Sequence, residues 1–168
     1  MQQLNLTLPV ITLIGIETRT NNTFETNPMT SKIGPCAQRY GQEQLFNKIT
    51  NRKNPGTTFC AYTDYESDHT GDYTFFIGEE IDADIAESYV PAEGLKKHVI
   101  PAQNYAKFTT ESGPMPFVAI SAWQKIWQMT PDDLGGKRSF QNDFQIHDER
   151  SVNPMSTILD IYVGISDM

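Results

Sequence analysis

Hydrophobic and polar residues alternate along six segments of the chain in the manner of β-strands, and they recur at helical spacing along two others. The opening segment, Leu8–Arg19, is rich in Val, Ile and Leu and predicts a strand that is buried at its start. One predicted helix, Phe117–Met129, is closed by Thr130 and Pro131. The other predicted elements are a helix from about Ser31 to Ile49 and strands at Thr57–Tyr65, Asp72–Ile81, Lys97–Thr109, Asp143–Asp148 and Thr157–Ile165.

The predicted elements follow the order β-α-β-β twice. The repeat is architectural, because the two halves share no convincing residue identity. Two such units can merge their strands into one antiparallel sheet that carries both helices on one face. We therefore predict an α+β fold with pseudo-twofold symmetry and a ligand cleft at the junction of the halves.

Length and charge narrow the functional classes. The 168 residues suit one domain, residues 1–168, and the formal net charge of −8 disfavours binding to a phosphate backbone. The chain shows neither a signal peptide nor an apolar run of the roughly 20 residues that a membrane helix needs. Cys36 and Cys60 are read as two reduced thiols. We expect a cytoplasmic protein that binds neither nucleic acid nor membrane directly.

Motifs for metal binding and for nucleophilic catalysis do not match this sequence. The loop that begins at Asp64 has acids at alternate positions, but His69 and Phe75 stand where a calcium loop needs Gly and Glu. The histidines lack the spacing of a zinc site, and no Gly-x-Ser-x-Gly segment occurs. We therefore expect no metal, no cofactor and no conventional catalytic residue.

Aromatic residues are concentrated in the predicted strands and at the end of the second predicted helix. Trp123 and Trp127 are four positions apart and share a helix face. Ile126 is expected to pack on the sheet, whereas Trp127 is expected to border a cavity, because indole N–H groups need partners when buried. Such rings can wall a small-molecule pocket, although strand alternation must send some of them into the core. The predicted lining comprises Tyr62, Phe75, Tyr105, Trp123, Trp127 and Tyr162.

The ordered set of motifs resembles the GyrI-like effector-binding domain family, especially its stand-alone, integron-associated members. The resemblance spans most of the chain, and its motifs occur in the family's order. It implies the double β-α-β-β fold and a junction pocket for amphipathic, often cationic, aromatic compounds. The segments that carry it are Tyr62–Glu66, Gly71–Gly78, Ile100–Phe108, Trp123–Trp127, Asp143–Arg150 and Asp160–Ile165.

One position departs from the family pattern. The family commonly has a pocket glutamate where this chain has Gln145, and a tyrosine where it has His147. An amide offers hydrogen bonds but no charge, so we expect an amphipathic aromatic ligand that is neutral or cationic, with Gln145 as the polar anchor. Many relatives are fused to DNA-binding domains. This chain is expected to lack one and to act, if in transcription regulation, through a partner protein, as a monomer or dimer.

Two alternatives to a non-enzymatic binder stay open at this point. Some GyrI-like proteins are hydrolases of reactive alkylating compounds, and such chemistry would need a carboxylate to activate water. Glu17, Glu79 and Glu111 are candidates that the sequence does not rank. The second alternative is a module that binds a protein in the same groove. Multiple-turnover product formation would favour the first alternative, and a stable protein partner without small-molecule binding would favour the second.

Overall fold

Nine strands form one antiparallel sheet in the computed structural model, which describes residues 1–167. The strands are β1 (Gln2–Leu8), β2 (Ile11–Thr20), β3 (Thr58–Thr63), β4 (Tyr73–Glu80), β5 (Lys96–Ile100), β6 (Gln103–Thr109), β7 (Lys137–Arg138), β8 (Asn142–His147) and β9 (Asp160–Ser166). The α-helices are α1 (Asn22–Glu25), α2 (Ile33–Gln42), α3 (Phe117–Trp127) and α4 (Pro131–Leu134), and 3-10 turns span Leu45–Lys48 and Glu149–Ser151. The sheet order is β1-β6-β9-β8-β3-β4-β2-β5, and β7 pairs with β9.

The predicted α+β architecture is confirmed. The first half is β2-α2-β3-β4, the second is β6-α3-β8-β9, and β3 pairs with β8 where the halves meet. Helices α2 and α3 pack on the same face of the sheet. Tyr40 of α2 joins a core cluster with Ile14 and Ile77, and Trp123 and Ile126 of α3 join a second cluster over β6 and β9.

Three predicted boundaries were wrong. A separate strand, β1, precedes β2, and its alternating Leu4, Leu6 and Leu8 were a signal that the prediction passed over. The predicted strand Lys97–Thr109 is two strands, because the chain breaks at Pro101 and Ala102, and proline cannot donate a ladder hydrogen bond.

The first helix was also predicted too long. It ends at Gln42 rather than continuing to Ile49, because Gln44 adopts a left-handed conformation with φ of 50°. The following residues form a 3-10 turn that still buries Leu45. The predicted apolar face of this segment is therefore used by two short elements instead of one helix.

The two strands missed by the prediction lie at opposite edges of the sheet and exchange partners between the halves. Strand β1 precedes β2 in the chain but pairs with β6, whereas β5 precedes β6 but pairs with β2. Only Pro9 and Val10 separate β1 from β2, so Leu8 and Ile11 are at most about 11 Å apart. The sheet must therefore curl until one edge approaches the other.

A hydrogen bond across the inside of the curl supports this shape. His98 Nε2 of edge strand β5 lies 3.0 Å from Asn142 Oδ1 of β8, which is four strands away in the sheet order. Asn142 Oδ1 also accepts a 2.8 Å bond from the Thr63 hydroxyl. The face of the sheet opposite the helices is thereby closed over an apolar cluster. That cluster contains Ile11, Leu13, Phe59, Ala61, Phe76, Ile100, Tyr105, Phe144 and Tyr162.

Candidate functional site

The junction of the halves is the β3–β8 ladder in the middle of the sheet. Cys60 lies opposite Gln145, and Tyr62 lies opposite Asp143. Residues that face each other across an antiparallel pair point to the same side of the sheet. Cys60 belongs to the helix-side core, so Gln145 also points toward the helix side. The register thus places one amide side chain at the centre of the molecule, where the two halves meet.

Gln145 is the centre of a hydrogen-bonded cluster. Its Oε1 atom accepts a 2.9 Å bond from the Trp123 indole N–H and a longer, 3.4 Å bond from the Tyr62 hydroxyl. Its Nε2 atom lies 2.9 Å from His147 Nε2. Gln145 is 4% exposed and Trp123 is 9% exposed. A buried amide needs such partners, because an unsatisfied polar group costs about 1–3 kcal/mol.

Aromatic rings surround this amide. The Tyr62 ring packs edge-on against Trp123 at 5.3 Å between centroids, and it lies 5.7 Å from Phe75 and 5.8 Å from Tyr73. Burial raises the pKa of Tyr62 well above its ordinary value, so its hydroxyl keeps its proton and can donate. The arrangement combines apolar ring surface with one polar group, as small-molecule sites commonly do.

The predicted cleft at this junction is filled by side chains of the protein itself. Trp123 and Tyr62 contact both each other and Gln145. A ligand that reaches the amide must therefore displace at least one ring. Open surface clefts of about 250 and 310 Å³ lie elsewhere, at the ends of β6 and β9, and the smaller one includes Tyr105.

The structure separates two predicted lining residues from the site. Tyr105 and Tyr162 lie on the opposite face of the sheet, inside the curl, where Tyr162 stacks on Phe144 at 4.6 Å. Their rings meet edge-on at 5.8 Å. Their neighbours Ala106 and Val163 take the helix side, because strand residues alternate between faces. Tyr62, Phe75, Trp123 and Gln145 are the predicted residues that the fold brings together.

Trp127 lies one helical turn beyond Trp123 and is 37% exposed. Its indole stacks on the His69 ring with centroids 5.6 Å apart and an angle of 13° between planes. His69 belongs to the loop between β3 and β4, and its carbonyl accepts a 2.8 Å bond from the Asn22 side chain. The stack therefore connects α3 of the second half to a loop of the first half.

Sequence reasoning did not identify a buried ion pair beside the site. Asp143 is 0% exposed and accepts 2.6 Å bonds from Arg138 and from the Tyr65 hydroxyl. Its other oxygen accepts a 2.7 Å bond from the Gly164 backbone N–H. Asp143 appeared in the sequence only as part of a family motif, and two of its partners, Tyr65 and Gly164, come from distant segments. The pair anchors β8 two residues before Gln145.

Two of the carboxylates considered for hydrolysis are engaged in ion pairs. Glu79 is paired with Arg52 at 3.1 Å, and Glu17 is paired with Lys96 at 2.8 Å. Burial raises the pKa of Glu79, and the Arg52 charge opposes that effect. Among residues 1–167, no hydrogen bond joins Glu17, Glu79 or Glu111 to Gln145.

Residues 1–167 contain neither a candidate metal cluster nor a candidate membrane-spanning helix. No group of three or more His, Cys, Asp and Glu side chains there is arranged to hold a metal ion. None of the helices in that part of the chain combines the length and the apolar character needed to cross a bilayer. Cys36 and Cys60 are both free thiols, and Cys60 is buried.

Several solved structures share this fold. An integron cassette protein from Vibrio cholerae superposes with a TM-score of 0.69 at 23% identity, over 98% of this chain and 95% of that one. SAV2435, solved bound to tetraphenylphosphonium, superposes with a TM-score of 0.72 at 16% identity, over 99% of this chain and 94% of that one. The protein therefore belongs to the α+β fold class of these two structures.

Within that class, residues 6–165 match the family described as integron-associated effector binding protein, and the chain belongs to this family. The Bacillus subtilis protein YobU, which is named as a transcriptional regulator, is 28% identical over 155 residues. That alignment covers 90% of this chain and 89% of YobU. Small-molecule binding is thus the general activity of the family to which the protein belongs.

Proposed function

We propose that the protein binds amphipathic aromatic small molecules at the β3–β8 junction, as a binder rather than an enzyme. The observation that carries this proposal is the buried Gln145 amide, which is bonded to the Trp123 indole and enclosed by rings. Tyr62, Phe75 and Trp123 would form the walls, and Gln145 would be the polar anchor. Trp127, half-exposed one turn further along α3, would border the entrance.

Burial of apolar surface would supply most of the affinity, at ~25 cal/mol per Å² before ordering costs are deducted. The ligand would take the place that the Tyr62 ring now fills, and the displaced ring would line the site opposite Trp123. SAV2435, which has the same fold, was solved with an aromatic cation, and this supports the proposed ligand size and aromatic character. Tyr105 and Tyr162 are left out of the proposed site, because they line the other face of the sheet.

We further propose that ligand binding acts on transcription through a partner protein in the cytoplasm. The name of YobU supports a regulatory role. The net charge of −8 disfavours direct contact with DNA, because phosphate backbones attract clustered Lys and Arg. The part that changes on binding would be α3, whose Trp123 contacts the ligand anchor directly.

Equilibrium dialysis with tetraphenylphosphonium and the neutral compound triphenylphosphine oxide tests the site. Trp123→Ala removes a wall and should weaken binding of both compounds by more than about tenfold, the effect of losing about 1.4 kcal/mol. Tyr105→Phe is the control, because its buried hydroxyl has no partner and lies on the opposite face. Absence of binding by both compounds, or equal losses in the two variants, would refute the proposed site.

A further inference from the structure

The orientation of the Gln145 amide is determined by its neighbours. An indole N–H can only donate, so the atom that faces Trp123 at 2.9 Å must be the amide oxygen. The amide nitrogen must then face His147, whose Nε2 lies 2.9 Å away. Since the amide NH₂ group only donates, His147 Nε2 must accept. His147 is therefore a neutral imidazole with its proton on Nδ1.

The surroundings of His147 favour that neutral form. Burial lowers the pKa of His147, and the neighbouring Asp148 carboxylate opposes the effect only in part. Asp148 itself is engaged by Arg150, which donates to both of its oxygens at 3.0 and 2.8 Å. On the paired strand, the residue opposite His147 is the uncharged Thr58. At neutral pH, His147 Nε2 therefore stays unprotonated and accepts the hydrogen bond from the Gln145 amide.

We propose that His147 is a positioning residue that presents the Gln145 oxygen to the aromatic cluster, and that the site consequently selects aromatic ligands bearing an O–H or N–H donor. This inference rests on the proposed function. A ligand that displaces Tyr62 removes its long, 3.4 Å hydroxyl bond from Oε1. Only a donor on the ligand can then satisfy the oxygen's second lone pair. A ligand with acceptors alone leaves that lone pair unpaired in a buried position.

Protonation of His147 would remove this selectivity. A proton on Nε2 would place two donors against each other at the 2.9 Å contact with Gln145. Rotation of the amide relieves that repulsion but turns the NH₂ group onto the Trp123 N–H, which is again a donor. Because the pKa of His147 is depressed, the preference is present at neutral pH and is lost as pH falls through that value.

Two biphenyls that differ only at one oxygen test the proposal. 4-Phenylphenol donates a hydrogen bond, 4-methoxybiphenyl does not, and equilibrium dialysis measures each at pH 7.5 and at a series of lower pH values. The phenol should bind about fivefold more tightly at pH 7.5, the effect of one net hydrogen bond of about 1 kcal/mol. The ratio should fall toward one as the pH is lowered through the depressed pKa of His147.

Two variants separate positioning from general damage to the fold. His147→Gln supplies a neutral acceptor and should keep the phenol preference throughout this pH series. His147→Leu supplies none and should show no preference at any pH. A phenol preference that survives unchanged in His147→Leu would overturn the proposal.

A measurement without ligand distinguishes failure of this inference from failure of the proposed function. ¹⁵N NMR of the histidine side chains should show His147 with its proton on Nδ1 at pH 7.5. A proton on Nε2 would overturn the inference even if aromatic compounds bind. If neither biphenyl nor tetraphenylphosphonium binds, the proposed function fails and the selectivity fails with it. If both biphenyls bind equally at pH 7.5, only the selectivity fails.

Discussion

At the scale of single residues, the junction depends on polar side chains that have few alternatives. Gln145 is bonded at both ends of its amide, and Asp143 receives three donors two residues earlier on the same strand. Both residues are buried, so a lost partner is not replaced by water at no cost. The stability of this part of the molecule should therefore respond strongly to small chemical changes.

Replacement of Gln145 by methionine, which has a similar volume, isolates the hydrogen bonds. The Trp123 indole N–H would lose its acceptor, and the free energy of unfolding should fall by about 1–3 kcal/mol. Urea denaturation followed by far-UV circular dichroism measures the change. The matched control is Gln141→Met in the exposed segment before β8, which should stay within about 0.5 kcal/mol of the parent protein. Equal effects of the two variants would contradict the role of the buried amide.

Asp143→Asn tests the buried ion pair. Arg138 would keep its charge in a site where its side chain is 9% exposed, and the expected loss of stability is about 3–5 kcal/mol. Glu43→Gln breaks the exposed Arg39–Glu43 pair on α2 and should cost less than about 1 kcal/mol. Thermal unfolding of both variants gives the comparison. A small effect at Asp143 would show that the pair contributes little.

At the scale of elements, the position of a strand depends on how closely its neighbour can approach. Gly15 of β2 lies opposite Gly78 of β4, and a Cβ atom on Gly15 would lie 1.9 Å from the Ile77 carbonyl oxygen. A Cβ on Gly78 would lie 2.0 Å from the Ile14 carbonyl oxygen. The two backbones thus come together where neither residue has a side chain. This contact positions β4, which carries Phe75.

Gly15→Ala should therefore separate these strands and lower stability by about 1–3 kcal/mol, as expected for overpacking. Gly34→Ala in α2 is the control, because a Cβ atom there meets nothing within 4 Å. That variant should be neutral or stabilising by up to about 1 kcal/mol, since alanine is the better helix former. Urea midpoints of both proteins check the prediction, and a stable Gly15→Ala protein would refute the close approach.

The secondary-structure elements were easier to predict from the sequence than the face of the sheet on which each side chain lies. Helix α3 and strands β3, β4, β8 and β9 follow from hydrophobic period, which is a local property. The side to which Tyr105 and Tyr162 point depends on the register of the whole sheet, which no local pattern contains. The role of His147 depends on one 2.9 Å contact with Gln145, whereas Gln145 itself could be selected through the family resemblance.

At the scale of the whole molecule, the exchange of β1 and β5 makes each half depend on the other. Strand β1 finds its partner in β6, and β5 finds its partner in β2. The apolar cluster on the inner face also contains residues of both halves. Neither half can complete its share of the sheet alone. We therefore expect the chain to unfold as one cooperative unit.

A thiol and an indole in different halves test this cooperativity. In a Cys36→Ser background, Cys60 reports on the first half, because burial raises its pKa to about 12 and keeps the thiol unreactive until the protein unfolds. Tryptophan fluorescence reports on the second half, because Trp123 and Trp127 both belong to α3. Reaction of Cys60 with a disulfide reagent and the fluorescence change should share one urea midpoint. Separate midpoints would show that the halves unfold independently.

The same exchange of strands limits the conformational changes by which the protein can open its binding site for a ligand. A hinge motion would rotate the two halves as rigid bodies about the β3–β8 ladder. Here the β1–β6 and β2–β5 ladders also join the halves, at the two edges of the sheet. Separation of the halves would therefore break the hydrogen bonds of both edge ladders at the same time. Space for a ligand must come instead from the helix-side layer, by a shift of α3 or a rotation of the aromatic side chains packed under it, while the backbone of the sheet keeps its position.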